Sequence, residues 1–308
     1  MLPDAIPTVD LEQPDAAGAI DAACRTKGFF YLRGHGVPAT VIERAFEHSA
    51  AFFALPEATK TAYHISNEHP HQRGYVPLFG EALDDTTPPD FKESYDLGVD
   101  LPSDHPDVVA GKPFSSPNVW PEVDGFKNAI SAYHDAMMTL SERLVTLTAQ
   151  GLGLGADYFD AAMRDPVGNL RLLHYPPSDQ PGASGGCGEH TDYGFMTILA
   201  QDDVGGLQIE ASDGQWLDIA PHPTEFVVNL GDLLTHWTGG RYQARRHRVV
   251  GGLRHDRYSI PFFLDPNVDA DVSVVPTCMA DETADAYPPI NAGEYLQSRF
   301  DATFVYRQ

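Results

Sequence analysis

Cysteine is scarce in this chain. Cys24, Cys187 and Cys278 are the three in 308 residues, with no CxxC pair among them. That excludes a disulfide framework and a thiolate zinc site, and predicts free thiols. Long apolar runs are missing too: no stretch of 18 apolar residues occurs, and the opening MLPDAIPTVDLEQPD lacks a basic start followed by an apolar segment. Neither a membrane span nor a secretory leader is expected, which makes a cytoplasmic location the default. Cations are few. Lys and Arg number 20 against 44 Asp and Glu, a net charge of −24 that opposes binding to phosphate backbones or anionic membranes. Nucleic acid and membrane are therefore not expected partners, a small molecule is, and nothing in the chain fixes an oligomeric state. What is present, 42% hydrophobic residues over 308 positions, is enough for a substantial core under an acidic, solvated surface.

The grammar of the chain changes along its length. Residues 1–120 mix short strand and helix patterns: AIPTVDL is a short apolar run, DAAGAIDAACRTK has helical spacing, and GFFYLRG is an aromatic strand. Pro38 opens VIERAFEHSAAFFAL, an amphipathic helix ending near Pro56. Between Pro70 and Pro121 prolines and acids recur, and the expectation is a long, partly ordered connection. Residues 121–308 hold the longest predicted helix, where Ile130, Tyr133, Met137, Leu140, Leu144 and Leu147 form one stripe. NLRLLHY, FMTILAQ, GLQIE, QWLDIA, EFVVNL, DLLTHW, RYQARRHRVV and RYSIPFFLD then read as strands, with Asp213-Gly214 as a hairpin turn and AGEYLQSRF as a closing helix. Many short strands in about a hundred residues mean a sandwich or a barrel.

Within these strands lie His190 and Asp192 of GEHTDYGF and His247 of ARRHRVV. Two neutral imidazoles and a carboxylate can hold divalent iron on one face and leave the other open, and residues two apart on an extended strand point the same way. The dipeptide spacing alone is weak, since about two His-x-acid matches arise by chance in a chain of this composition. The other match, His105-Pro106-Asp107, lies in a proline-rich stretch that reads as a loop. Ten residues beyond His247, Arg257 and Ser259 share one side of a strand, where a planar guanidinium can grip a carboxylate through two parallel hydrogen bonds.

In order along the chain, IPTVDL, ACRTKGFFYLRGHGVP, FFALPEATKTAY, RGYVPLFGE, DFKESYDLG, LLHYPP, GEHTDYGFMTIL, VVNLGDLLTHWTGGRYQARRHRV and RYSIPFFLDP resemble the isopenicillin N synthase-like branch of the iron(II)/2-oxoglutarate-dependent oxygenases. The resemblance covers nearly the whole chain. It implies an α+β, mainly β fold: a double-stranded β-helix (jelly-roll) core with flanking helices, one of them long, behind an N-terminal region of the non-haem dioxygenase type over residues 1–120. It further implies His190, Asp192 and His247 as iron ligands, with Arg257, Ser259 and Tyr175 on the distal carboxylate of 2-oxoglutarate; core packing is the rival role for Tyr175. No catalytic residue is expected beyond the metal ligands. Many relatives carry Asn-x-Tyr-Pro where this chain has Leu173, which removes a polar contact there. Isopenicillin N synthase has a metal-binding glutamine near its terminus; Gln308 here reads instead as a solvated chain end.

The activity so implied uses Fe(II), 2-oxoglutarate and O2 to oxidise a small organic molecule, by default through hydroxylation, giving succinate and CO2. Arg73, Tyr75, Phe79, Lys92, Phe195 and Phe263 are the candidates for the substrate pocket, with core or surface roles as their alternatives. An anionic or polar substrate could meet Arg73 or Lys92. Two other readings stay open: a 2-oxoglutarate-independent oxidase of the isopenicillin N synthase or aminocyclopropanecarboxylate oxidase kind, and a non-catalytic binding module. His134 reads as structural, and His236 and Trp237 as structural or pocket-lining.

Overall fold

The computed structural model describes residues 6–66, 72–81, 89–178, 186–280 and 283–303; Gln308 lies outside them. Its first part runs β1 (Thr8–Asp10), α1 (Ala16–Thr26), β2 (Phe29–Arg33), α2 (Ala39–Phe53), α3 (Glu57–Thr61), β3 (Gly74–Val76), β4 (Glu93–Leu97) and α4 (Pro106–Val109). The long helix α5 (Phe126–Gly151) is followed by β5 (Val167–Tyr175), β6 (Cys187–His190), β7 (Met196–Gln201), β8 (Leu207–Glu210), β9 (Trp216–Asp218) and β10 (Phe226–Leu230). Then come α6 (Asp232–Trp237), β11 (His247–Val249), β12 (Arg257–Asp265), β13 (Asp271–Val272), α7 (Thr283–Ala286), β14 (Ile290–Asn291) and α8 (Ala292–Thr303).

Two sheets make the jelly roll. The larger has the order β1-β2-β10-β7-β12-β5-β4-β3 and the smaller β6-β11-β8-β9. β12 sits centrally, antiparallel to β5 on one side and β7 on the other. Its alternation explains the layers. Ile260, Phe262 and Leu264 enter the main core on the helix side, while Arg257, Ser259, Pro261, Phe263 and Asp265 line a cavity on the other. β5 does the same, with Leu170 and Leu172 in the core and Asn169, Arg171, Leu173 and Tyr175 along the cavity.

The long helix forms for the reason its stripe gives. Ile130, Tyr133, Met137, Leu140 and Leu144 are each 3% exposed or less and pack with α1 and α2, each contributing roughly 1.5–3 kcal/mol of burial. His134 on it bonds the Gly168 carbonyl at 3.0 Å, a structural role.

Three local readings change. DLLTHW is the helix α6, because β10 ends at Leu230, Gly231 is the N-cap, and Leu233, Leu234 and Trp237 share a buried helical face. RYQARRHRVV contributes only His247–Val249 as strand. The stretch from Pro70 to Pro121 holds β3 and β4, which extend the large sheet beside β5; strands this short give little periodic signal. His105 caps the short helix α4, accepting from the Asp107 N–H at 3.2 Å, so the decoy motif serves a turn. Among the described residues no helix is long and apolar enough to cross a membrane.

Candidate metal centre and its cavity

β6 and β11 run antiparallel with His190 opposite His247, which brings their rings to 4.2 Å between centroids. Asp192 lies just past β6, where an isolated bridge to Gly231 and the Asp232 N–H on its carbonyl fix the turn. Asp192 Oδ1 is 3.6 Å from His190 Nε2 and 3.7 Å from His247 Nε2. All three candidate ligand atoms lie within 4.8 Å of one another, a spacing one metal ion could bridge.

The atoms facing away are already engaged. His190 Nδ1 meets the Gly188 carbonyl at 2.9 Å and His247 Nδ1 the Arg245 carbonyl at 3.3 Å. Each carbonyl can only accept, so each ring carries its proton on Nδ1 and turns a bare Nε2 inward. Asp192 Oδ2 accepts from Thr197 Oγ1 at 2.5 Å and Asn229 Nδ2 at 2.6 Å, leaving Oδ1 for the centre. Burial alone would raise the Asp192 pKa, but His247, His190 and those two hydrogen bonds hold the carboxyl below its usual range. Burial, with His190 adding to it, lowers His247 to about 4 against the opposite pull of Asp192. At neutral pH His247 is thus uncharged and Asp192 ionised, the protonation states a divalent cation requires.

Further along the same cavity, Arg257 is 1% exposed and stands opposite Tyr175 across the β12–β5 ladder, its guanidinium 4.8 Å from the ring centroid. Its Nε donates to the Gly205 carbonyl at 2.6 Å and one terminal nitrogen to Ser259 Oγ at 3.1 Å. The other reaches Gln201 Oε1 at 3.4 Å, a long contact. The geometry leaves an aimed, desolvated cation beside a hydroxyl and an aromatic face, a fit for a carboxylate.

Of the six residues predicted for a substrate pocket, Lys92 and Phe263 line the cavity. The other four do not. Arg73 lies behind the wall, donating to Asn169 Oδ1 at 3.3 Å and to the Phe114 carbonyl at 3.0 Å. Tyr75 points into the core, where its hydroxyl donates to Glu93 at 2.6 Å. Phe79 is 54% exposed and packs on Phe91. Phe195 is buried against Phe159 and Trp237. Segment membership could not tell which face of a short strand each one takes.

Other residues behave as follows. Trp237 is core, and His236 bonds the Pro288 carbonyl at 2.6 Å, well away from the triad. His174 points away from the cavity, as strand alternation from Tyr175 requires, and is buried beneath α2 between Glu93 and Asp256. The cysteines are free, and Cys187, its thiol pushed up to about 12 by burial, lies 3.9 Å from the outward Nδ1 of His190 and not among the three convergent ligand atoms. Sequence reasoning missed Asn229 and Thr197, which orient Asp192, and the polar wall of Asp96, Arg171 and Glu81. Alternation back from Tyr175 places Arg171 on the cavity side and could have found it; nothing local marks the others.

Comparison with known proteins follows the same outline. Residues 6–123 match the family described as non-haem dioxygenase in morphine synthesis N-terminal, and residues 166–266 the 2OG-Fe(II) oxygenase superfamily. The 2-oxoglutarate-Fe(II) type oxidoreductase hxnY of Emericella nidulans is 34% identical, with 92% of this chain and 83% of that protein covered. Clavatol oxidase claD of Penicillium crustosum is 35% identical, with 97% of each covered. Among solved structures, a full-length Neurospora crassa protein in complex with alpha-KG and thymine superposes with a TM-score of 0.83 at 33% identity, covering 96% of each chain.

Proposed function

The chain belongs to the 2OG-Fe(II) oxygenase superfamily, and from that premise we propose that His190, Asp192 and His247 hold its iron while Arg257, Ser259 and Tyr175 hold the far carboxylate of 2-oxoglutarate. The protein is a non-haem Fe(II)/2-oxoglutarate-dependent dioxygenase that oxidises a small molecule, with Fe(II), 2-oxoglutarate and O2 as cofactor and cosubstrates. The assignment of residues rests on one observation above all. Three ligand atoms of the right kind converge while their opposite atoms are saturated by neighbours.

Bound iron supplies the oxygen and redox chemistry. The chain's own residues do the positioning. The Gly188 and Arg245 carbonyls fix the tautomers of the two histidines, and Thr197 and Asn229 hold the carboxylate in register. Arg257 needs no reorganisation to meet a dicarboxylate, since the Gly205 carbonyl and Ser259 already set its plane. The apolar ring of Phe263 and the helix α8, through Leu296 and Phe300, shield the cavity end from water. Substrate is held there with the C–H bond to be hydroxylated turned toward the triad.

The Neurospora crassa relative is seen with thymine and with 5-formyluracil, which supports a substrate of comparable size here. The net charge of −24 supports a set of partners without nucleic acid or anionic membrane. Separate family matches over 6–123 and 166–266 support dividing the chain near residue 120. The experiment is an anaerobic titration with Fe(II) and 2-oxoglutarate, followed by succinate measurement on admitting air with candidate substrates. We expect a visible charge-transfer band that needs both additions. A protein that binds iron but gives no band with 2-oxoglutarate overturns the clamp assignment.

A further inference from the structure

One wall of the cavity carries charge for which iron and 2-oxoglutarate have no use. Asp96 of β4 stands opposite Arg171 of β5, and the two are joined by bonds of 2.6 and 2.8 Å. Arg171 also reaches Glu81 at 3.2 Å, Glu81 takes Lys92 at 2.9 Å, and Lys92 closes on Asp90. Asp90 accepts the Gly188 N–H at 2.9 Å, which ties the wall to the strand of His190. Two cations therefore answer to three carboxylates, all in or against the cavity lining.

No other described cation stands inside the cavity at this wall. Arg257 belongs to the clamp. Arg73 is a further cation acting on Asp96 from behind the wall, outside the cavity lining, where it donates to Asn169 Oδ1 and to the Gln72 and Phe114 carbonyls. Arg299 lies over the Tyr193 ring on the exposed side of α8. An incoming carboxylate would lose its water and find the cations of this wall already paired with carboxylates, a combination the low dielectric of a buried site penalises strongly.

Two neutral donors point the other way. Gln72, 6% exposed, lines the cavity from a left-handed backbone (φ 60°), and its Nε2 has no hydrogen-bond partner among the described residues. Asn169 lines the same end, its Oδ1 taken by Arg73, which leaves its N–H groups as the available donors. A buried donor without an acceptor is costly, so the acceptor belongs to whatever fills the space.

Building on the oxygenase reading above, we propose that the oxidised molecule is uncharged: a small amide, imide or phenol that accepts from Gln72 and Asn169, donates toward Asp96 and Glu81, and is refused when it bears a carboxylate. Of the anionic or polar substrate considered for Arg73 or Lys92, this keeps the polar, uncharged one.

The test uses enzyme loaded anaerobically with Fe(II) and saturating 2-oxoglutarate, and matched acid and primary-amide probes: benzoate with benzamide, and indole-3-acetate with indole-3-acetamide. Binding is read by calorimetry. Amides should bind about ten-fold or more tighter than their acids. Equal affinities, tighter acids, or no binding by either series overturn the proposal. Glu81→Gln removes one carboxylate and should shrink the preference by about five-fold, with iron content and circular dichroism as checks on folding. An unchanged preference in folded Glu81→Gln overturns the proposal as well. If that variant does not fold, Gln72→Leu takes its place: amide affinity should fall with acid affinity unmoved, and unmoved amide affinity overturns the proposal. The cofactor assignment is read separately, from the 2-oxoglutarate band before any probe is added.

Discussion

Asn229 donates its side-chain amide to Asp192 Oδ2 at 2.6 Å and so decides which carboxylate oxygen faces His190 and His247. The bond spans from the centre of the large sheet to the turn beyond β6. Replacing Asn229 with Leu should weaken iron binding by about 10- to 100-fold, the usual cost of losing such an orienting partner. Competition with a chelator measures this; unchanged affinity would mean Thr197 alone suffices.

The two histidines of the 236–247 segment should separate cleanly. His247→Ala should lose bound iron, and His236→Ala, whose side chain bonds the Pro288 carbonyl and meets the Tyr287 ring edge-on, should keep it. Metal analysis of the purified variants decides. The reverse pattern would reassign the third ligand.

Arg257→Lys keeps the charge and discards the planar fork. The KM for 2-oxoglutarate should rise by about ten-fold or more, because an ammonium cannot donate two parallel bonds to a carboxylate. A steady-state titration of 2-oxoglutarate is the check, and an unmoved KM would take Arg257 out of the clamp.

His247 makes the metal-free protein sensitive to acid. Burial and His190 lower its pKa to about 4 from an ordinary 6.5, so between those values the unfolded chain binds the proton more readily than the folded one. The sign follows: this contribution is fully present above pH 6.5 and is lost as pH falls toward 4, to a total of about 3 kcal/mol at most. Urea unfolding of metal-free protein from about pH 7.5 to 4 should show that slope, and His247→Gln should flatten it.

Gly231 bears on the site through space rather than conformation. A Cβ there would lie 2.1 Å from the Gly194 carbonyl oxygen, and backbone on both sides cannot yield cheaply. Gly231→Ala should cost about 1–3 kcal/mol as an overpacking change, read by urea unfolding, and should reduce iron affinity by moving the Asp192 turn.

Much of the centre was legible because its spacing is local. His190 and Asp192 are two apart, Arg257 and Ser259 are two apart on one strand, and Asp213-Gly214 turns between β8 and β9 as its dipeptide predicts. The long helix showed itself by its stripe. DLLTHW misled because six residues with apolar positions at 233, 234 and 237 fit a short strand nearly as well as one and a half helical turns. Of the substrate candidates, Lys92 and Phe263 reach the cavity while Arg73, Tyr75, Phe79 and Phe195 do not; choosing among them needed the facing of each segment.

By itself, then, the sequence determined the donor types at the centre and which residues of one strand share a side, since both follow from covalent neighbours and the two-residue period. The tertiary structure decided which groups are spent on one another. Asp192 gains Asn229 from 37 residues away, and Arg171 is joined to Glu81 from 90 residues away. Such pairings depend on the register of strands distant in the chain, and only that register turns Lys92 and Arg171 from available cations into members of a saturated, acidic wall.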